Sequence, residues 1–412
     1  MGRIKELDGL RALAVLSVLT AHFVPPSCRL SNVLRLGWCG VDLFFAISGF
    51  LITGILIGLR HKEGAFQTFY WRRTLRIFPP YYLALGLILG LALAHAERLN
   101  YREIVGHALF LSSAKPGLMK LAVRRLSFAM PAAPVGALQH AEYSLLQFKD
   151  CLGIYWSLSV EELFYLVWAP IVLKGSRRII LLCSIAPLLG CPLLRGLAHT
   201  TPHIEESIGF IFRFDSLAAG GCVALLCWGL EHGRMTRKAL DRGLISAAIL
   251  FPISLIALAA ICGVSRGVDV RTTWAFSVFG FSLLAASCAS FVGALARWGA
   301  GLGRVSHVLR SKGAVHLGKV SYTIYLIHLP AYVVVQLMII RWFGPDAIAL
   351  SLKLAILAGG LATVAAILFA SFSWHYIEAP ILRWKDKWFP VRSTARPLSV
   401  ESVADRSDPI CA

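Results

Sequence analysis

The sequence predicts an all-α integral membrane protein that crosses the bilayer about ten times, with both termini in the cytoplasm. Of its 412 residues, 57% are hydrophobic and only 15% are charged, and the mean hydropathy is +0.69. A soluble chain would carry roughly a quarter charged residues. The apolar residues fall in repeated runs close to the ~20 residues that an α-helix needs to cross a bilayer. These observations indicate one polytopic membrane domain rather than two or three soluble domains.

The apolar runs place ten membrane helices along the chain. The first run follows Arg3 and Lys5 and contains Asp8, Arg11 and His22. It is too polar for the apolar core of a cleaved signal peptide, so we expect it to remain as the first membrane helix. We predict helices at residues 8–25, 37–59, 79–96, 152–173, 178–194, 209–230, 243–263, 272–296, 315–340 and 346–371.

The basic residues predict the orientation of these helices. Ten crossings place both termini on one side, and the loops on that side contain most of the Lys and Arg residues. Because an excess of Lys and Arg marks the cytoplasmic side, we expect both termini there. The net charge of +19 would also suit a nucleic-acid partner, but these residues lie between apolar runs and form no continuous soluble surface. We therefore expect membrane lipids, and no nucleic acid, as their partners.

The chain is expected to form one membrane domain, residues 1–384, with two polar segments. Residues 97–150 are the one long stretch between predicted helices, and the topology makes this loop segment extracytoplasmic. Residues 385–412 are polar, and we expect them to form a disordered cytoplasmic tail. The ten cysteines include no CxxC pair and no Cys/His spacing typical of zinc, so the sequence predicts no metal site.

Titratable side chains inside the predicted helices mark a candidate catalytic site, since an ionisable group in a bilayer costs at least about 2.5 kcal/mol. His22 lies near the outer end of the first helix, and Asp42 lies at nearly the same depth in the second. Glu161 and Glu162 enter at a similar depth in the fourth. An imidazole oriented by a carboxylate is a suitable general base for a hydroxyl. The alternative is a polar cluster that only holds three helices together, but a base beside several acids favours catalysis.

Arginines near the cytoplasmic side form a candidate site for a phosphate-bearing cofactor. Arg11 lies about 16 Å from His22, on the same face of the first helix. Arg72, Arg73 and Arg76 precede the third helix, and guanidinium groups bind phosphate through paired hydrogen bonds. One alternative is that Arg11 reaches the lipid headgroups. The other is that the remaining three arginines lie on an amphipathic surface helix, which from spacing alone is the better description of them.

Polar residues at the outer part of two helices are candidates for contact with a substrate. Ser321, Tyr325 and His328 share one face of the ninth helix, and Trp156 lies near the start of the fourth. We take Trp156, Tyr325 and His328 as the substrate-binding residues. Hydrogen bonding between helices is the alternative for the residues of the ninth helix.

Three other charged residues are expected to be structural. Arg213 and Asp215 lie close together at the outer end of the sixth helix, where they are expected to pair with each other. Glu378 follows the tenth helix, and we interpret it as a structural cap.

Five sequence blocks together resemble the membrane acyltransferase-3 family, which includes bacterial O-acetyltransferases of surface polysaccharides. The blocks occur in the family's order, and the resemblance covers the chain from about residue 5 to 384. They are LDGLRALAV at 7–15 with His22, GVDLFFAISGF at 40–50, RRxxRxxP at 72–79, WSLSVEELFY at 156–165 and SYTIYLIH at 321–328.

The resemblance implies a membrane-bound O-acyltransferase of the bacterial inner membrane, with acetyl-CoA as the donor and a carbohydrate or lipid-linked glycan as the acceptor. It implies a catalytic role for His22 and donor binding by the cytoplasmic arginines, and it places the family's acidic residue at Glu161 or Glu162. Leu163 stands where the family commonly has glutamine. Some members carry a fused extracytoplasmic hydrolase-like domain that this sequence lacks, so the acceptor is handled by the membrane domain alone or passed to a separate extracytoplasmic partner.

Several alternatives stay open at this point. The acyl group is acetyl or succinyl, and transfer is direct or proceeds through an acyl-histidine. The sequence does not identify the acceptor glycan. A secondary transporter for an anionic substrate is the alternative function, and a non-catalytic scaffold for glycan export is the third. The two halves of the sequence contain no matching pair of broken helices, which favours the enzyme over the transporter.

Overall fold

The fold is all-α, as the sequence predicts. The computed structural model describes residues 4–25, 31–94, 101–110, 151–200, 209–231, 236–262, 270–344 and 352–388, and over these ranges it contains helices and no β-strand. Most of segment 97–150 and of the tail 385–412 lies outside these ranges. Within them, nine helices are long and apolar enough to cross a membrane. The chain is therefore a polytopic membrane protein.

The helices longer than four residues follow one another with short connections, apart from the stretch between Tyr101–Ala108 and Trp156–Lys174, most of which lies outside the described residues. They are α1 Lys5–Phe23, α2 Gly40–Leu59, α3 Ala65–Ala94, α4 Tyr101–Ala108, α5 Trp156–Lys174, α6 Arg177–Thr200, α7 Phe214–Glu231, α8 Arg237–Ile261, α9 Phe281–Trp298, α10 Gly303–Leu309, α11 Lys312–Phe343, α12 Leu352–Ser373 and α13 Ala379–Trp388. Short 3-10 turns at Arg35–Cys39, Gly209–Arg213 and Val270–Thr272 lie ahead of α2, α7 and α9. Single π-helical turns lead into α9 at Phe276–Gly280 and join α12 to α13 at Trp374–Glu378.

Two helices extend beyond their predicted ends. α3 is one continuous helix of 30 residues that includes Pro79 and Pro80, so it joins the predicted third span to the preceding arginine segment. The three arginines of that segment therefore lie on a helix that enters the bundle, and not on a separate surface helix. α6 continues to Thr200, which moves Arg195 from a predicted loop into a helix.

α1 lies inside the bundle although its first half is charged. One side of the helix, from Leu7 to Phe23, is buried, and it packs most extensively on α11. The two helices run parallel, because Gly318 of α11 meets Asp8 and His328 of α11 meets His22. A Cβ atom at Gly318 would collide with the backbone carbonyl of Asp8, so glycine permits this close approach. We call the two ends of the bundle the Lys5 end and the His22 end, after the residues of α1 that lie there.

The remaining helices differ in how much of their surface is buried inside the bundle. α2 crosses α7 closely, because Gly49 faces the backbone of Leu217 and Gly220 faces the backbone of Ala46. In the most apolar 18-residue stretch of Arg35–Leu59, which contains α2, 61% of the residues are buried. In the corresponding stretch of Arg237–Ile261, only 6% are buried. α8 therefore lies at the periphery, where its apolar side chains face lipid, and α1, α2 and α11 form the centre that positions the polar residues described next.

Candidate active site

A cavity opens among α1, α2, α3, α5 and α11, at the centre of the bundle. It encloses about 800 Å³ of space, part of which is open at the surface. We call it the basic cavity, because Arg11, Arg73, Arg76 and Lys319 contribute to its lining. Aromatic and aliphatic side chains of α2, including Val41, Phe44 and Phe45, line it as well, so a charged group and an apolar chain can both be accommodated.

The arginines of α3 divide into different roles. Arg76 is exposed and lines the cavity. Arg73 is partly buried, and its guanidinium carbon lies 4.2 Å from the centre of the Tyr165 ring. An Nη2 atom of Arg73 lies 3.9 Å from a carboxylate oxygen of Glu161. Arg72 is partly exposed and does not appear among the residues that line this cavity. The structure therefore places two of the three predicted arginines at the cavity.

Glu161 belongs to a network at the wall of the basic cavity. Its Oε1 atom accepts short hydrogen bonds from the hydroxyls of Ser48 and Tyr165, in addition to its ion pair with Arg73. Glu162 lines the same cavity. The predicted acidic pair thus lies beside the predicted arginines, and Glu161 is held there by residues of α2, α3 and α5.

His22 meets a second histidine. Its Nδ1 atom lies 3.3 Å from Nε2 of His328 and 2.9 Å from the backbone oxygen of Val18. The Nδ1 atom of His328 lies 2.7 Å from the backbone oxygen of Tyr325, one turn earlier on α11. His328 is completely buried, whereas His22 is exposed. Among the described residues, an imidazole therefore lies beside His22 at hydrogen-bond distance.

A second cavity lies at the His22 end. His22, Trp156 and Tyr332 are among its lining residues, and it encloses about 1010 Å³ of space. We call it the outer cavity. Of the residues predicted to bind substrate, Trp156 lines this cavity, Tyr325 lines the basic cavity, and His328 lies buried behind His22.

The wall between the two cavities contains a tyrosine and a serine. The hydroxyls of Tyr325 and Ser157 are 2.8 Å apart, and both side chains line the basic cavity. The Tyr325 hydroxyl also donates to the backbone oxygen of Ile154, at 3.0 Å, and Ile154 lines the outer cavity. This hydrogen-bonded group therefore touches both cavities, through Tyr325 and Ser157 on one side and Ile154 on the other.

Asp42 occupies a different environment from the predicted one. It accepts hydrogen bonds from Arg213 at 2.8 Å and Ser216 at 2.9 Å, and its carboxylate is only 1% exposed. Asp215, expected to pair with Arg213, pairs instead with Arg195 at 2.9 Å. This pairing arises because α6 carries Arg195 into the bundle, next to α7 and α9.

Glu378 lies in the π-helical turn between α12 and α13, where it is buried. It accepts hydrogen bonds from Thr323 at 2.7 Å and from Ser373 at 3.0 Å. These bonds tie the end of α12 to the centre of α11. No three His, Cys, Asp or Glu side chains of the described ranges are grouped as a metal site.

The match to known proteins agrees with this geometry. The family model described as an acyltransferase domain, acyltransferase-3, matches residues 4–375. The chain belongs to the acyltransferase-3 family. This membership favours the enzyme over the secondary transporter, and each of the five blocks contributes residues to the lining of the basic cavity. No solved structure gave a significant match.

Several proteins that are similar to this chain are named O-acetyltransferases. The chain is 28% identical over 395 residues to YrhL of Bacillus subtilis, provisionally named a peptidoglycan O-acetyltransferase, covering 92% of this chain and 55% of the relative. It is 24% identical over 384 residues to the O-acetyltransferase OatA of Staphylococcus aureus, covering 91% and 56%. A match of 30% identity over 174 residues to the peptidoglycan O-acetyltransferase OatA of Listeria monocytogenes covers 41% and 24%. This acyltransferase-3 protein thus spans about half the length of the first two relatives.

Four residues of the site were not predicted from the sequence. Ser48 and Tyr165 hold Glu161, Ser157 holds Tyr325, and Lys319 adds a cation to the basic cavity. All four lie within or next to the five family blocks, so their position in the sequence could have marked them as site residues. Lys319 lies in the early turns of α11, within the predicted ninth helix.

Proposed function

We propose that this protein transfers an acetyl group from cytoplasmic acetyl-CoA to a hydroxyl of a glycan on the other side of a bacterial inner membrane. In this proposal the Lys5 end of the bundle faces the cytoplasm, as the distribution of Lys and Arg indicates. The basic cavity then receives the donor and the outer cavity receives the acceptor. A glycan too polar to enter the bilayer meets the acetyl group at the wall between them.

The donor assignment is supported by charge and shape. Arg11, Arg76 and Lys319 bring three cations to one cavity, where Arg11 lies 3.9 Å from Asp8, and Arg73 adds a fourth that is paired with Glu161. Like charges gathered at one place repel each other unless an anion lies among them, and a nucleotide carries several phosphates. The apolar lining from α2 suits the uncharged arm that links the nucleotide to the thioester.

The acceptor assignment is supported by the outer cavity and by the names of the relatives. Trp156 offers an aromatic surface for a sugar ring, and His22 offers a base for its hydroxyl. Since two relatives carry peptidoglycan in their names, we propose peptidoglycan as the first acceptor class to test. In this proposal the membrane domain acetylates the glycan itself, and transfer through a separate extracytoplasmic partner is the alternative.

The proposed reaction is an acyl transfer with His22 as general base. His22 takes the proton from the acceptor hydroxyl while the oxygen attacks the thioester carbon. The carbon–sulfur bond then breaks, and coenzyme A leaves as a thiol that receives a proton from the imidazolium. The thioester reaches His22 only when the Tyr325–Ser157 hydrogen bond in the wall opens.

One observation supports this proposal: residues of one hydrogen-bonded group, Tyr325, Ser157 and Ile154, line both the basic cavity and the outer cavity that contains His22. The test uses the full chain purified in detergent, acetyl-CoA and soluble peptidoglycan fragments. We expect free thiol to appear in step with acetylated glycan, detected by mass. Binding of acetyl-CoA without thiol release or glycan acetylation, in folded protein given any of several glycan classes, would contradict the proposal.

A further inference from the structure

The hydrogen-bond partners of His22 assign its tautomer. A backbone carbonyl oxygen only accepts hydrogen bonds, so the Nδ1 atom of His22, 2.9 Å from the oxygen of Val18, must carry a hydrogen. A neutral imidazole has a single N–H group, and the lone pair of His22 is therefore on Nε2. Nε2 is then the atom that can accept a proton from a hydroxyl in the outer cavity, which His22 lines.

The same reasoning fixes His328. Its Nδ1 atom lies 2.7 Å from the oxygen of Tyr325 and must donate to it, which leaves the lone pair of His328 on Nε2. That lone pair lies 3.3 Å from the N–H group of His22. His22 Nδ1–H thus has two acceptors, the oxygen of Val18 and the Nε2 atom of His328, and neither is charged.

His328 is also held firmly in place. It is completely buried, and its ring centre is 5.9 Å from that of Phe23 and 5.7 Å from that of Tyr325. The Tyr325 hydroxyl is anchored to α5 through Ser157 and Ile154. The orientation of His328 is therefore set by packing and hydrogen bonds from three helices.

We propose that His328 is a positioning residue that acts through His22, in the role that a carboxylate has in a Ser-His-Asp triad. It keeps the lone pair of His22 on Nε2, directed to the acceptor side, and it accepts the Nδ1–H hydrogen bond that strengthens when His22 becomes an imidazolium. The inference rests on the proposed function, since it concerns how His22 works as a base. It replaces the predicted role of His328 in substrate binding, for which complete burial is unsuitable.

The test compares three replacements of His328 that keep different hydrogen bonds of the native side chain. His328→Gln can place an amide oxygen near the former Nε2 position and so retain an acceptor for His22. His328→Asn is too short to do so and retains only a donor for the Tyr325 carbonyl, and His328→Leu retains neither. Each variant is purified as the full chain, checked for thermal unfolding, and assayed for kcat and for KM of acetyl-CoA.

We expect His328→Asn and His328→Leu to lower kcat about 100-fold, which is the order of a general-base contribution, while KM for acetyl-CoA changes less than about twofold. His328→Gln should keep kcat within about tenfold of the wild type. If folded His328→Asn and His328→Leu proteins keep wild-type kcat, or if all three variants lose activity equally, the positioning role is wrong. His22→Ala tests the proposed function separately. If that variant still transferred the acetyl group, His22 would not be the base, whatever the His328 variants showed.

Discussion

The Nε2 atom of His328 lies 3.3 Å from the Nδ1 atom of His22, although the two residues are 306 positions apart in the chain. The parallel packing of α1 on α11 brings them together, and Gly318 permits that packing near the other end of α1. The catalytic proposal thus depends on a contact between two helices that the fold holds in fixed register.

Substitutions at the basic cavity should weaken donor binding. We expect Arg76→Ala and Lys319→Ala each to raise KM for acetyl-CoA about tenfold, because a charge-assisted hydrogen bond to phosphate contributes about 1.5–3 kcal/mol. The turnover number should change much less. Arg237→Ala, an exposed arginine at the start of α8 and outside the cavity, serves as the control. Unchanged KM values for both cavity variants would remove these residues from the donor site.

Asp42 should contribute to the fold rather than to proton transfer. Asp42→Asn removes the charge that balances Arg213 at the end of α7, while the shape of the side chain is kept. We expect a lower thermal unfolding midpoint and a turnover number per folded molecule within about threefold of the wild type. A variant of normal stability that has lost all transfer would show that Asp42 acts in catalysis.

The buried pair Arg195–Asp215 should be important for stability. Both side chains are almost fully buried, at 3% and 0% exposure, and Ser282 also bonds Asp215. Breaking such a pair leaves an uncompensated buried charge, so Asp215→Asn should lower the free energy of unfolding by about 3–5 kcal/mol.

A matched control for this pair exists on the same protein. Arg297 and Asp241 are also 2.9 Å apart, but their side chains are 20% and 26% exposed. Asp241→Asn should therefore cost about 1 kcal/mol or less. Denaturant titrations of both variants in detergent provide the comparison, and equal losses would mean that burial does not determine the contribution of these pairs.

The close contact of α1 with α11 gives another test. Gly318→Val should place a Cβ atom against the backbone carbonyl of Asp8, which forces the two helices apart and lowers both stability and turnover. Gly313→Val lies five residues earlier on the same helix, where a Cβ atom would meet no atom within 4 Å. We expect that variant to be close to wild type in its thermal midpoint. Equal midpoints for both variants would contradict the close packing.

The sequence predicted the fold class and the approximate limits of most helices, because long apolar runs with few charges are a strong signal of membrane helices. It also selected His22, Glu161, Arg73 and Arg76, since charges inside apolar runs are conspicuous. The sequence could not predict which helices lie side by side in the bundle. Depth along each helix follows from spacing, but the choice of neighbour depends on which helices pack together.

Asp42 illustrates this limit. Its depth agreed with that of His22, yet α2 directs it towards α7, where Arg213 and Ser216 lie. His328, in contrast, was predicted to bind substrate from a polar helix face, and the parallel packing of α1 and α11 makes it a partner of His22. The third helix begins earlier than its predicted start at residue 79, because Pro79 and Pro80 are accommodated within one long helix that begins at Ala65.

The central claim is that a base at the His22 end acts on an acetyl group delivered from the Lys5 end. The most direct measurement uses sealed vesicles containing the full protein, with radiolabelled acetyl-CoA on the side of the Lys5 end and peptidoglycan fragments on the other. We predict labelled glycan with the wild type and with His307→Ala, an exposed histidine on α10, and none with folded His22→Ala. Labelling by His22→Ala at the wild-type rate would contradict the account.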